Sequence, residues 1–229
     1  TPEGMWREQS PDIHFAVLEI FATAIWAARA YGIDLRSTEE RVRKAMRFPC
    51  LAAFQSGRLP APADGPTEPS LPKYLPILEE GSALFPDDEV LQDPLGAARN
   101  RSYNHERLGW TMLRKGDIEL FIKQRHVVRS HAHADLLNHE VEVKGKPMVR
   151  DMGTPRFGAR ELTAWCKSSL AHSTIVVDGA DQDVFVGAGA ETRSWNPEEP
   201  AIALQCEDIY PGIDAEASFS LGERGWRGD

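Results

Sequence analysis

Between Ser130 and Asp178 the chain gathers the residues best suited to chemistry. His131, His133 and Asp135 alternate with the small residues Ala132 and Ala134, and Asp151 and His172 follow. In an extended strand, residues two apart project to one face, so His131, His133 and Asp135 are predicted to point the same way. Two imidazoles and a carboxylate on one face form half of a metal or acid/base site. Among strand-borne His-x-His patterns, the metallo-β-lactamase type places a second His directly after the Asp, and here that position is Leu136.

The flanking residues supply a frame for these groups. Leu137, His139, Val141 and Val143 alternate with Asn138, Glu140 and Glu142, the period of a half-buried strand. Lys144-Gly145-Lys146 signals a turn, and Met148 to Asp151 reads as the returning strand, stopped by Gly153 and Pro155. That hairpin is expected to carry Asp151 back toward His133. Ala171-His172-Ser173 opens a further apolar strand, Thr174 to Val177, closed by Asp178-Gly179. His133, Asp151 and His172 then lie at strand ends, and two nitrogens with one oxygen suit zinc with an open coordination position. His105, His126 and His139 read as satisfied or solvated histidines.

Three blocks of this stretch resemble the C-terminal domain of heparinase II/III-like polysaccharide lyases, which include the oligoalginate lyases. They are SHAHADLLNHEVEV, the hairpin end RDMGTPRFG, and AHSTIVVDGADQ, in order and at compatible spacing, with Ser173 where the family usually has Asn. The segment WREQSPDIHFAVLEIF resembles a block that opens an apolar helix in the family's helical toroid. It keeps His14 but has Ile13 at the position of the expected Tyr. No Tyr stands between Arg156 and His172, where some relatives carry a second one.

The rest of the chain extends this frame. It has 229 residues, 41% of them hydrophobic, a net charge of −9, and no run that reads as long or apolar enough to span a membrane. Cys50, Cys166 and Cys206 are scattered, which argues against a disulfide framework. Ser10-Pro11 is a helix start, followed by Phe15, Leu18, Phe21, Ala22, Ile25 and Ala28 at helical spacing up to Gly32. Ser37-Thr38-Glu39-Glu40 reads as a capping box for a second helix ending near Ser56 and Gly57. Residues 59–102, rich in Pro, Gly and acidic residues, read as linker and loops. From Leu108 the period becomes two, with a hairpin turning at Lys115-Gly116-Asp117 and further strands at Ala190 to Arg193 and Ala201 to Cys206. The expected class is α+β: helices of a partial α/α toroid (1–58), a linker (59–102), then an antiparallel β-sandwich (103–229).

The resemblance implies β-elimination on a uronic-acid-containing polysaccharide, alginate or a glycosaminoglycan. It implies His131 and His14 as catalytic residues, facing each other across a cleft between helices and sandwich, and Arg156 as a substrate contact. It implies His133, Asp151 and His172 as a metal triad holding a largely structural zinc, with Asp135 orienting an imidazole beside it. An acidic polysaccharide is the expected partner, with no nucleic acid and no membrane, in a periplasmic or secreted bacterial setting or, as the alternative, in the cytoplasm on imported oligosaccharides. Two alternatives stay open: a non-catalytic, metal-stabilised carbohydrate-binding relative, and a metal-dependent hydrolase built on the His131-His133-Asp135 pattern with a fourth strong ligand.

Overall fold

The structure, a computed structural model, describes residues 1–65, 68–97, 101–154, 160–185, 187–222 and 225–228. Helix α1 (Pro11–Ala30) begins at Ser10, whose hydroxyl accepts from the Ile13 amide, with Pro11 at the first helical position. Phe15, Leu18, Ala22 and Ile25 form its buried stripe. By length and apolar composition this helix meets the requirements for crossing a membrane, contrary to the sequence reading, because few of its residues are charged. Its buried stripe packs against α2 (Arg36–Ala52) and α3 (Leu75–Leu84). The start of α2 does not use the expected capping box: Leu35 is the N-cap and no side chain caps it. It also ends earlier than expected, at Ala52, where Ala53 turns to an extended conformation.

The segment read as linker is largely built into the fold. A 3₁₀ turn (Leu71–Tyr74), α3 and the short α4 (Glu89–Gln92) fill its middle, and Leu71, Leu78, Leu84 and Leu91 join the helical core. Prolines and acidic residues concealed these turns, since Pro72 and Pro76 lie in first turns, where a missing N–H costs nothing.

Beyond it, β1 (Tyr103–His105), β2 (Trp110–Lys115), β3 (Ile118–Lys123), β4 (His139–Val143) and β5 (Lys146–Val149) form one antiparallel sheet in chain order. The β4–β5 turn places Lys144 and Gly145 at φ +53° and +67°, the left-handed pair of a type I′ hairpin. Gly109, at φ +74°, precedes β2; a Cβ there would lie 2.6 Å from the Arg125 amide nitrogen, so only glycine fits. A second antiparallel sheet comprises β6 (Glu191–Asn196), β7 (Ala201–Tyr210), β8 (Ile213–Gly222) and β9 (Gly225–Gly228). The last two strands go beyond those read from the sequence.

The first sheet is the middle of three layers. Leu113, Leu120, Ile122 and Val141 face the second sheet and pack with Ile202, Leu204 and Phe219. Trp110, Met112 and Phe121 face the helices and pack with Phe48 and Phe54. Strand β4 is therefore not half-buried. Its polar face, Glu140 and Glu142, is covered by the segment after α2: Arg58 binds Glu140 through Nη1 and Glu142 through Nε (2.6 Å), and the Ala61 amide donates to Glu140 (2.8 Å). This contact lays the segment after α2 across the face of β4 and carries Asp64 to the histidines.

Candidate functional site

Residues 126–138 do not form the expected strand. They run as turns and irregular chain, and His131 adopts φ +62°, a left-handed conformation uncommon outside glycine. Thr174 to Val177 is also irregular. Its backbone serves side chains instead of a ladder: Gln182 and Tyr210 donate to the Ile175 carbonyl. The site is thus built from loops pinned onto a sheet.

Even so, His133, Asp151 and His172 converge. Each offers one ligand atom, and these atoms all lie within 4.8 Å of one another. Asn138 and Gly153 donate to Asp151 at 2.6 and 2.7 Å, which fixes the carboxylate at the hairpin's end. His172 Nδ1 is 2.7 Å from Asp151 Oδ2. Burial pushes the His172 pKa down, but the Asp151 carboxylate outweighs it and the net shift is upward. Burial likewise raises Asp151, and the His172 hydrogen bond brings it to a net position below the usual range. Among the described residues His133 Nδ1 and His172 Nε2 are buried and have no hydrogen-bond partner. Orphaned, buried imidazole nitrogens beside a carboxylate fit a divalent metal such as zinc.

Asp64, unremarked in the sequence reading, is the hub of the site. It is 4% exposed. Its Oδ1 lies 3.0 Å from His133 Nε2 and accepts from the Thr154 hydroxyl at 2.8 Å. Its Oδ2 lies 3.0 Å from His131 Nδ1 and accepts from Lys167 Nζ at 2.7 Å. Burial alone would raise its pKa; the four donors together hold it well below the ordinary carboxylate range. The only hint in the sequence was an Asp-Gly after the apolar run Leu59-Pro60-Ala61-Pro62-Ala63.

A carboxylate can only accept, so the His131 ring donates from Nδ1, and in the neutral ring Nε2 is then the nitrogen that carries the lone pair. The side chain is 27% exposed, and Glu8 Oε1 stands 3.9 Å from Nε2. Glu8 is steadied by the Trp6 indole at 3.3 Å. The expectation that His14 faces His131 is corrected. His14 Nδ1 accepts from the Trp6 amide and Nε2 donates to the Ala45 carbonyl, both at 3.0 Å. Ala45 needs that donor because Pro49, one turn on, has no N–H. Burial pushes the His14 pKa down to about 4, and both nitrogens are committed to backbone, so His14 ties α1 to α2 and has no lone pair or proton left for a substrate. From the same N-terminal block it is Glu8 that reaches His131.

Asp135 orients neither metal-triad imidazole. Its Oδ1 accepts from the buried Lys123 Nζ at 2.5 Å. His126, expected to be satisfied or solvated, is neither: it is buried, its Nδ1 is 3.9 Å from Asp135 Oδ1, and neither ring nitrogen has a hydrogen-bond partner among the described residues. Trp165 on α5 (Arg160–Cys166) is 44% exposed, two residues before Lys167. Arg156 lies outside the described residues. Cys50, Cys166 and Cys206 are free and buried.

Residues 98–220 match the family model of the heparinase II/III-like C-terminal domain. The chain belongs to that family. No curated protein matches it. Among solved structures, it resembles a heparinase III with methylated lysines (18% identity, TM-score 0.82) and heparan sulfate lyase HepC from Pedobacter heparinus (18%, 0.82). A further heparinase III is similar at 16% identity and TM-score 0.80. In each case 96% of this chain is covered, and it spans only 36%, 37% and 38% of those chains, respectively. At such identity the likeness shows the fold: helices followed by two packed antiparallel sheets.

Proposed function

We propose that this chain carries the catalytic histidine and metal triad of a polysaccharide lyase, which cleaves a uronic-acid-containing polysaccharide by β-elimination. The observation that supports this most is His131, whose Nδ1 is held by the same Asp64 carboxylate that holds His133 and whose Nε2, on a partly exposed ring, stands 3.9 Å from Glu8 Oε1. Nε2 takes the proton from carbon 5, next to the uronate carboxylate. The electron pair left behind forms the carbon 4–carbon 5 double bond as the bond from carbon 4 to the glycosidic oxygen breaks. The proton on Nε2 then passes to that departing oxygen, so one imidazole serves as base and acid on the same face of the sugar. Imidazole is the side chain whose ordinary chemistry suits both taking and returning a proton.

His133, Asp151 and His172 would hold zinc, whose charge stabilises the loops under His131 and needs no part in the bond changes. The exposed Trp165, two residues before the Asp64-bound Lys167, suits stacking on a sugar ring. A periplasmic or secreted setting accords with such a substrate. The hydrolase alternative loses its natural extra ligand, because Asp135 is committed to Lys123.

The test is ultraviolet absorbance of the unsaturated uronate product, with the protein incubated against heparan sulfate, alginate, hyaluronan and chondroitin sulfate. A rise with one polymer that His131→Ala abolishes supports the reading and names the substrate. No rise with any polymer, with zinc bound stoichiometrically, moves the chain to a carbohydrate-binding role.

A further inference from the structure

Asp64 is placed by contacts on every side. Its own amide donates to the His131 carbonyl at 3.0 Å, and the Thr154 amide donates to the Gly65 carbonyl at 2.8 Å. Upstream, Arg58 and the Ala61 amide are fastened to β4, and Pro60 and Pro62 restrict the chain between Arg58 and Asp64. The carboxylate thus reaches the histidines on a short, stiffened span. It divides its two oxygens between two rings of different duty: Oδ2 to His131 Nδ1 and Oδ1 to His133 Nε2. Lys167 offsets its charge from the solvent side.

We propose that Asp64 is the positioning residue of this site: one carboxylate fixes the tautomers of both rings, turning His131 Nε2 to the substrate and His133 Nδ1 to the metal. The role of His131 toward substrate rests on the lyase reading; the tautomers rest on geometry alone. Each ring has two nitrogens, and an acceptor-only partner on one leaves the other as the lone-pair donor. For His133 the free nitrogen is the buried, unpartnered Nδ1, on a ring that offers a ligand atom within 4.8 Å of those of Asp151 and His172. Carboxylates behind metal-bound imidazoles act in this way, setting ring orientation and raising ligand basicity. Here the same carboxylate also holds the neighbouring ring, so metal site and base share one support. An amide in its place can accept from one imidazole N–H but turns its NH₂ toward the other, forcing that ring into the opposite tautomer or out of contact.

The experiment compares ¹⁵N-labelled wild type and Asp64→Asn by histidine ring NMR at a pH where both rings are neutral, with zinc affinity measured by competition against a chromophoric chelator. In wild type the His131 proton is on Nδ1 and the His133 proton on Nε2. In Asp64→Asn at least one ring is expected to change tautomer, and zinc affinity to fall about 10- to 100-fold. Asp64→Ala, which leaves space for a small anion, should regain the wild-type tautomers in formate but not in chloride. Unchanged tautomers in Asp64→Asn, or zinc affinity within twofold of wild type, overturn the proposal. On a substrate that wild type cleaves, Asp64→Asn should lower kcat at least tenfold with KM within threefold. Absence of turnover in wild type would count against the lyase reading alone, since the ring and zinc measurements require none.

Discussion

Replacing Arg58 with Met tests how the segment after α2 is held to the sheet. The guanidinium is nearly buried, bridges Glu140 and Glu142, and lies 4.3 Å from the centre of the Phe54 ring. Glu142 is paired across the sheet with Glu119, which Arg114 binds at 2.8 Å. Three buried carboxylates thus face two guanidiniums. Met keeps the stem's apolar packing but leaves Glu140 and Glu142 with no cation of their own. Removing one member of a buried ion pair costs about 3–5 kcal/mol. For a chain of this length that corresponds to a fall in Tm of about 6–20 °C.

The pH dependence has a definite sign. Burial pushes the Glu140 pKa up, Arg58 opposes that, and the net position is already above the ordinary value. Without Arg58 it rises further, so the folded state binds more protons than the unfolded chain and stability falls as pH increases through that window. Chemical denaturation of Arg58→Met at pH 8 and pH 5 should show the larger deficit at pH 8. Adding Glu140→Gln and Glu142→Gln should recover a good part of it. A deficit below about 1 kcal/mol, or one indifferent to pH, would refute the argument that these charges are mutually dependent.

Two further outcomes are expected. Zinc at about 100 times its Kd should raise unfolding stability by about 2.7 kcal/mol, a gain that chelation reverses and His172→Ala removes; calorimetry with and without metal measures it. Because burial lowers the His14 pKa from 6.5 to about 4, the unfolded chain binds the extra proton first, and stability should decline as pH falls from 6.5 to 4. The His14 share of that loss is on the order of 3 kcal/mol, and a His14→Gln variant should show a correspondingly flatter profile across the same window in denaturant titrations.

Much of the frame was legible because it follows simple periods. The stripe Phe15, Leu18, Ala22 and Ile25 defined α1, and alternation with left-handed turn residues defined the β2–β3 and β4–β5 hairpins. The convergence of His133, Asp151 and His172 was legible because the hairpin returns Asp151 toward the other two, although His133 and His172 sit on irregular chain and not at strand ends. Alternation misled at His131 to Asp135. There the small alanines and polar side chains mimic a strand, while turns and side-chain hydrogen bonds set the backbone. It misled again at Thr174 to Val177, whose β-branched run is held by Gln182 and Tyr210 instead of a neighbouring strand. The role of His14 depended on a proline in another helix, and that of Asp64 on a long-range contact between Arg58 and β4. No local spacing encodes either one.

The burial of Glu140 and Glu142 beneath residues 58–65 has a consequence for how this protein can be divided. The stretch that matches the family model begins at residue 98, after Arg58 and Asp64. A sandwich expressed from that point would expose the acid-bearing face of its own β4 and lose the acceptor shared by His131 and His133. The homology boundary and the boundary of cooperative folding therefore do not coincide. Recombination or truncation at the former should yield a fragment that keeps the recognisable motifs while losing the geometry that gives them meaning.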